Sequence, residues 1–222
     1  MSATQTLAIL GGTGQQGGAL ALRWARAGYR IVIGSRDAAR AAEKARDLSA
    51  LVPGAAISGL DMAGAARAGE IVVLSVPYAA HGATLAAIVD AVQGKIVIDV
   101  TVPLVPPRVA RVQLPPEGAA AVAAQLALGP GVKVVSAFQN VAAHHLESEG
   151  DVACDVLVCG DDKEARGAVV ALARAAGLRA FHAGALANSA ASEALTSVLI
   201  FLNGRYHTTS GIRLTGLPDD DA

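Results

Sequence analysis

Short apolar runs recur along the chain, each closed by Gly, Pro or a polar residue and most of them followed by an Ala-rich stretch with helical spacing. Thr6-Leu7-Ala8-Ile9-Leu10 and Arg30-Ile31-Val32-Ile33-Gly34 come first, and Ile71-Val72-Val73-Leu74-Ser75-Val76 is the next strong run. None alternates with polar residues, the pattern of strands buried on both faces of a sheet. Further runs lie at Lys95 to Val100, Val132 to Ala137, Val152 to Cys159 and, shortest, Leu178 to His182; Ala55-Ala56-Ile57-Ser58 is a weaker third strand. Helices are predicted over Gly18 to Ala27, Ala38 to Ala50, Ala80 to Val92, Glu117 to Leu128 and Asn188 to Leu202. Asp61 caps a small helix ending near Gly69, and Gly160-Asp161-Asp162 caps another running to Ala176. Alternating strands and helices imply right-handed crossovers and a parallel sheet.

The first turn carries chemistry. Gly12, Gly14 and Gly17 meet the G-x-G-x-x-G spacing between a strand and a helix. There Gly12 allows the tight turn, Gly14 lets a pyrophosphate approach the backbone, and Gly17 lets the helix pack on the strand with its N–H groups aimed at phosphates. The fold class expected is therefore α/β, a Rossmann-type doubly wound parallel sheet with a small C-terminal αβ extension. The second strand ends in Ser35-Arg36 where an NAD-preferring protein places Asp or Glu. A 2′-phosphate needs donors and positive charge, and Ser35, Arg36, Arg40 and Thr13 offer both; the plainer reading makes Arg36 and Arg40 solvated surface charges. Asp37 serves as the next N-cap.

Composition narrows the picture. The 222 residues are 53% hydrophobic and 3% aromatic, so the core is built of Ala, Val, Leu and Ile. A net charge of −1 points to no nucleic acid or anionic membrane partner, and no apolar run reaches the about 18 residues of a membrane helix. The chain enters a strand with no basic leader, and Cys154 and Cys159 lack metal-site spacing; reduced, buried thiols in a cytoplasmic protein are expected. Pro103, Pro106, Pro107, Pro115 and Pro116 mark a connection over the surface or past the site. The expected organisation is one unit over 1–222, a dinucleotide-binding core (1–103) and an extension (104–222), with a tail through Asp219-Asp220-Asp221 that frays. His81 stands either near the substrate rim or on a solvated helix surface; His144 and His145, adjacent in sequence, are expected to point apart, and His207 to be exposed.

With these residues in view the chain resembles the F420-dependent NADP oxidoreductases. The resemblance rests on Leu10-Gly11-Gly12-Thr13-Gly14, Ile33-Gly34-Ser35-Arg36, Val73-Leu74-Ser75-Val76-Pro77, Val134-Val135-Ser136-Ala137-Phe138 and Val158-Cys159-Gly160-Asp161-Asp162, and continues through Ala183-Gly184-Ala185-Leu186-Ala187-Asn188-Ser189 to Gly211-Ile212-Arg213-Leu214. It implies a dimeric enzyme that passes a hydride reversibly between NADP and the deazaflavin coenzyme F420, with small-molecule coenzymes as its partners. No side chain need act as catalytic acid or base and no metal is called for, since the coenzymes carry the chemistry. The resemblance gives NADP to Gly12, Thr13, Gly14, Gln15, Gln16, Gly17, Ser35, Arg36 and Arg40, and to the strand-end residues Leu74, Ser75, Val76, Pro77, Val100 and Ala137. It gives the second coenzyme to Gln139, Asn140, Val141 and Ser210. Where related proteins carry a His facing the deazaflavin, this chain has Gln139, which hydrogen-bonds but carries no cation. Another acceptor (flavin, quinone or metal chelate) and a non-enzymatic NADP sensor remain the alternatives.

Overall fold

In the computed structural model, which describes residues 5–147, 150 and 152–217, the apolar runs become strands and the Ala-rich stretches helices. The chain forms β1 (Thr6–Leu10), α1 (Gln15–Arg26), β2 (Arg30–Ser35), α2 (Ala38–Leu51), β3 (Ile57–Asp61), α3 (Met62–Ala68), β4 (Ile71–Leu74), α4 (Tyr78–Ile88) and β5 (Ile96–Asp99). After the proline-rich connection follow α5 (Ala120–Leu128), β6 (Lys133–Ser136), α6 (Ala143–Glu147), β7 (Val156–Gly160), α7 (Lys163–Ala175), β8 (Ala180–His182) and α8 (Ser189–Tyr206). Among the described residues no helix is long and apolar enough to cross a membrane. The expectation for Asp219 to Asp221 falls outside the described residues.

The eight strands make one sheet in the order β3-β2-β1-β4-β5-β6-β7-β8. Every pairing is parallel except β6 with β7, where Ser136 faces Cys159 across an antiparallel ladder, so the expected parallel sheet carries one reversed junction. Apolar runs specify burial and carry no direction. The reversal follows from the connection through α6, which returns the chain without a full crossover. The strand order turns back on itself between β1 and β4, the place where open α/β sheets bind ligands.

Other differences have local causes. α1 begins at Gln15 rather than Gly18 because Gly14, in extended conformation, is already its N-cap. β3 lies two residues later than Ala55 to Ser58, since Ile31 to Ser35 pair with Ile57 to Asp61. A Cβ on Gly59 would stand 2.2 Å from the Ala41 carbonyl carbon, so this is where α2 lies closest to the edge strand. Asp61 and Asp162 cap α3 and α7 as expected. The core lies on both faces of the sheet, with Leu7, Ile9, Ile33, Leu74 and Ile98 excluded from solvent, each contributing about 1.5–3 kcal/mol of transfer free energy. Trp24, fully buried on α1, meets Phe138 edge to face at 5.8 Å and donates its indole N–H to the Leu172 carbonyl.

Candidate functional site

The carboxyl ends of β1 and β4 hold the site together. Gly11 takes φ +82°, and a Cβ there would stand 2.1 Å from the Ser75 carbonyl oxygen; the left-handed residue of the turn is therefore Gly11, where the motif spacing pointed to Gly12. A Cβ on Gly17 would come within 2.9 Å of the Gly11 oxygen, so the first turn of α1 rests directly on the loop. The Gly11 N–H bonds to the Gly34 carbonyl and the Ser75 N–H to the Leu10 carbonyl, fixing β1, β2 and β4 around this point.

Two adjoining depressions of about 470 Å³ each share Gly14, Ser75, Val76 and Pro77. One runs towards the end of β2, past Thr13, Ser35, Arg36, Asp37 and Arg40. Here the Asp37 carboxylate accepts the N–H groups of Ala39 and Arg40 as the N-cap of α2. It is thereby occupied with the backbone. Among the described residues Arg36 and Arg40, both exposed, have no acidic side-chain partner. This pair of cations beside the Ser35 hydroxyl is suited to a dianionic group, and α1 aims its N-terminal N–H groups at the shared wall.

The other depression runs across the ends of β5 and β6, past Gln15, Gln16, Gly17, Tyr78, Val100, Thr101, Leu104, Phe138, Gln139, Val141 and Thr196. Phe138 holds φ +71° while nearly buried, a strained backbone that costs about 1–3 kcal/mol and that the Trp24 contact holds in place. Gln16 Nε2 reaches the Phe138 carbonyl at 3.5 Å, linking the α1 end to this wall. Gln139 donates from Nε2 to the Asp99 carbonyl at 2.8 Å. A carbonyl can only accept, so the amide orientation is settled chemically, and Oε1 is left without a partner within the protein. Thr101 Oγ1 is likewise unpaired. Both atoms are closed off from solvent, behind a wall that mixes apolar residues with Gln15, Gln16, Tyr78 and Thr196.

Several expected residues lie elsewhere. Leu74 and Ala137 are fully buried in the core, and Gly12 forms the turn beneath the depressions. Asn140 turns away to the Ser192 carbonyl and Thr196 Oγ1, and the Ser210 N–H and hydroxyl both bond to Asn203 Oδ1; neither lines a depression. His81 is no surface residue, being 3% exposed and 2.7 Å from Asp99 Oδ2. The rings of His144 and His145 lie 4.3 Å apart instead of diverging, while His207 is exposed. Cys154 and Cys159 are free and buried, and burial pushes the Cys159 thiol up to about 11, far from a nucleophilic thiolate. Leu104, Thr196 and Met62 line the depressions without having been marked by any sequence motif.

The comparisons with known proteins agree with this geometry. Residues 6–103 match the family described as NADP oxidoreductase coenzyme F420-dependent. The chain is 42% identical over 221 residues to an F420-dependent NADP reductase of Methanocaldococcus jannaschii, covering 95% of this chain and 98% of that protein. It is 38% identical to a protein of the same name from Methanothermobacter marburgensis, covering 96% and 99%. A solved hypothetical protein from Sinorhizobium meliloti shares the fold, with TM-score 0.69 and 24% identity over 85% of this chain and 89% of that one. With 42% and 38% identity to those two reductases over nearly the whole length of each chain, this protein belongs to the F420-dependent NADP reductase family.

Proposed function

We propose that the protein reduces coenzyme F420 with NADPH, and runs the reverse reaction, by direct hydride transfer in the cleft formed by the two depressions. The observation that carries this reading is the cleft itself: a phosphate cradle and an unpaired Arg36–Arg40 pair at one end, continuous with a ring-sized apolar pocket at the other. When bound, the coenzymes supply the chemistry, NADPH + F420 + H⁺ giving NADP⁺ + F420H₂, with the hydride passing from nicotinamide C4 to deazaflavin C5.

The protein's part is placement. The Gly11–Gly17 loop and α1 take the pyrophosphate, and Ser35, Arg36, Arg40 and Thr13 take the 2′-phosphate. Ser75, Val76 and Pro77, at the junction of the depressions, lie against the nicotinamide side. Val100, Gln139 and Val141 line the acceptor side, and Leu104 and Thr196 bring the segment after residue 103 into the same pocket. That segment is accordingly the part that completes the acceptor site. Apolar walls at both rings exclude water, which protects a hydride in transit from competing protonation.

We further infer a homodimer that buries α8, whose Val198, Phe201 and Tyr206 are 44%, 58% and 68% exposed. Light scattering on the purified chain tests this, and the mass of one chain contradicts it. The function is tested by mixing protein, NADPH and oxidised F420 and following the loss of deazaflavin absorbance. Rapid loss is expected. Turnover of FMN or riboflavin with none of F420 overturns the acceptor, and NADPH binding with no acceptor reduced overturns the enzyme reading.

A further inference from the structure

Three ionisable side chains lie buried behind the cleft without lining it: His81 on α4, Asp99 at the end of β5 and Glu193 on α8, with 3%, 0% and 1% exposure. Asp99 is their hub. Its Oδ2 meets His81 Nε2 at 2.7 Å, tying the first turns of α4 to the end of β5. Its Oδ1 accepts the Thr101 N–H at 2.9 Å, and its carbonyl accepts Gln139 Nε2 at 2.8 Å and the Ala137 N–H at 3.3 Å. A carboxylate wholly removed from water is costly unless a cation and hydrogen bonds offset the loss, and here Oδ2 takes His81 while Oδ1 holds the backbone of Thr101 in the pocket wall.

The two residues held here, Thr101 through its backbone N–H and Gln139 through its side-chain amide, both line the pocket. On the other side His81 stacks on Tyr78, which also lines the pocket, with ring centroids 6.3 Å apart. The pair thus reaches the wall from both flanks.

We propose that the buried His81–Asp99 pair is a positioning element for the hydride acceptor, holding in place Thr101, Gln139 and Tyr78, the part of the pocket wall that its ring meets; this rests on the F420 reading given above. Neither His81 nor Asp99 touches the coenzymes, and their effect passes through those three residues.

The electrostatics agree. Burial works against a charged His81, but the hydrogen bond and charge of Asp99 outweigh it, and His81 stays protonated to a higher pH than an ordinary histidine. The charged groups whose fields reach it are Asp99 from β5 and Glu193 from α8, both acidic. As pH rises through the raised pKa the imidazole loses its charge, Asp99 loses its counter-ion, and the wall loosens.

Steady-state kinetics of the full chain and of His81→Gln and His81→Leu, with NADPH and F420 varied in turn across neutral and alkaline pH, test this. His81→Leu is expected to raise KM for F420 roughly tenfold while KM for NADPH moves less than about twofold. His81→Gln, which keeps a donor for Asp99, recovers most of that loss. The rise of KM for F420 with pH in the unaltered chain disappears in both variants. If the leucine variant does not fold, the loss of that pH dependence in the glutamine variant carries the test. Equal changes in both KM values, or an unaltered pH profile, overturn the proposal while leaving the function intact. An unaltered chain that turns over no F420 overturns the functional reading first, and this proposal with it.

Discussion

Arg36 shows how far single residues were readable. Its place after the second strand, with Ser35 before it and Arg40 a helical turn on, suggested a phosphate end, and the structure brings the three residues to one depression. The structure adds that Asp37, beside them in the same depression, turns its carboxylate to the α2 backbone instead of forming an ion pair with either arginine. Arg36→Ala should weaken NADPH binding by about 1.5–3 kcal/mol, the worth of a hydrogen bond to a charged group, and leave NADH nearly unaffected. Titration of both coenzymes checks this, and equal losses would remove the 2′-phosphate assignment. Gly11 was less readable. In Gly11-Gly12-Thr13-Gly14 the spacing of the motif fits Gly12, and only the positive φ and the approach of the Ser75 carbonyl single out Gly11 as the position where a side chain fits least. Asn140 was misleading for another reason: the resemblance gave it to the second coenzyme, but its amide serves α8.

At the scale of elements, strands with unbroken apolar runs were legible, because burial on both faces leaves a clear pattern. β3 was not, since an edge strand is half exposed and its register depends on where α2 crosses it. The direction of β7 was not, because composition is blind to direction. The docking of α8 also escaped the sequence. Its Glu193, 1% exposed, accepts the N–H groups of Ala120 and Ala121 and so caps α5, whose own N-cap position, Ala119, offers no side-chain acceptor. Burial pushes the Glu193 carboxyl up from 4.5 to about 7, with those two N–H groups working the other way and the charge of Asp99 adding to the rise. A folded-state pKa above the unfolded one gives a contribution fully present below about 4.5 and lost as pH climbs through about 7. The shift is worth on the order of 3 kcal/mol. Glu193→Gln, which cannot ionise, should flatten denaturation stability across that window relative to the unaltered chain. An identical slope in both proteins would contradict the assignment.

For the whole molecule, the cleft is assembled from stretches far apart in sequence: the loop at Gly11–Gly17, Ser75 to Tyr78, Val100 to Leu104, Phe138 to Ala143, and Thr196. The first four were foreseeable at their strand ends, since these lie on one rim of a doubly wound sheet and must face a common crevice, while Val102 and Leu104 beyond Val100 were not. Thr196 was not, because nothing in an Ala- and Leu-rich helix marks which face will meet the pocket. The proposed function uses the two depressions as one channel, with phosphates at the β2 end and two stacked rings at the β5–β6 end. The measurement that tests this most directly uses NADPH deuterated at the transferable C4 position, with F420 as acceptor and mass analysis of the reduced deazaflavin. Direct transfer predicts that the deuterium arrives in the product at a carbon-bound position. A reduced deazaflavin without label would show that the hydrogen came from solvent, and would contradict the account.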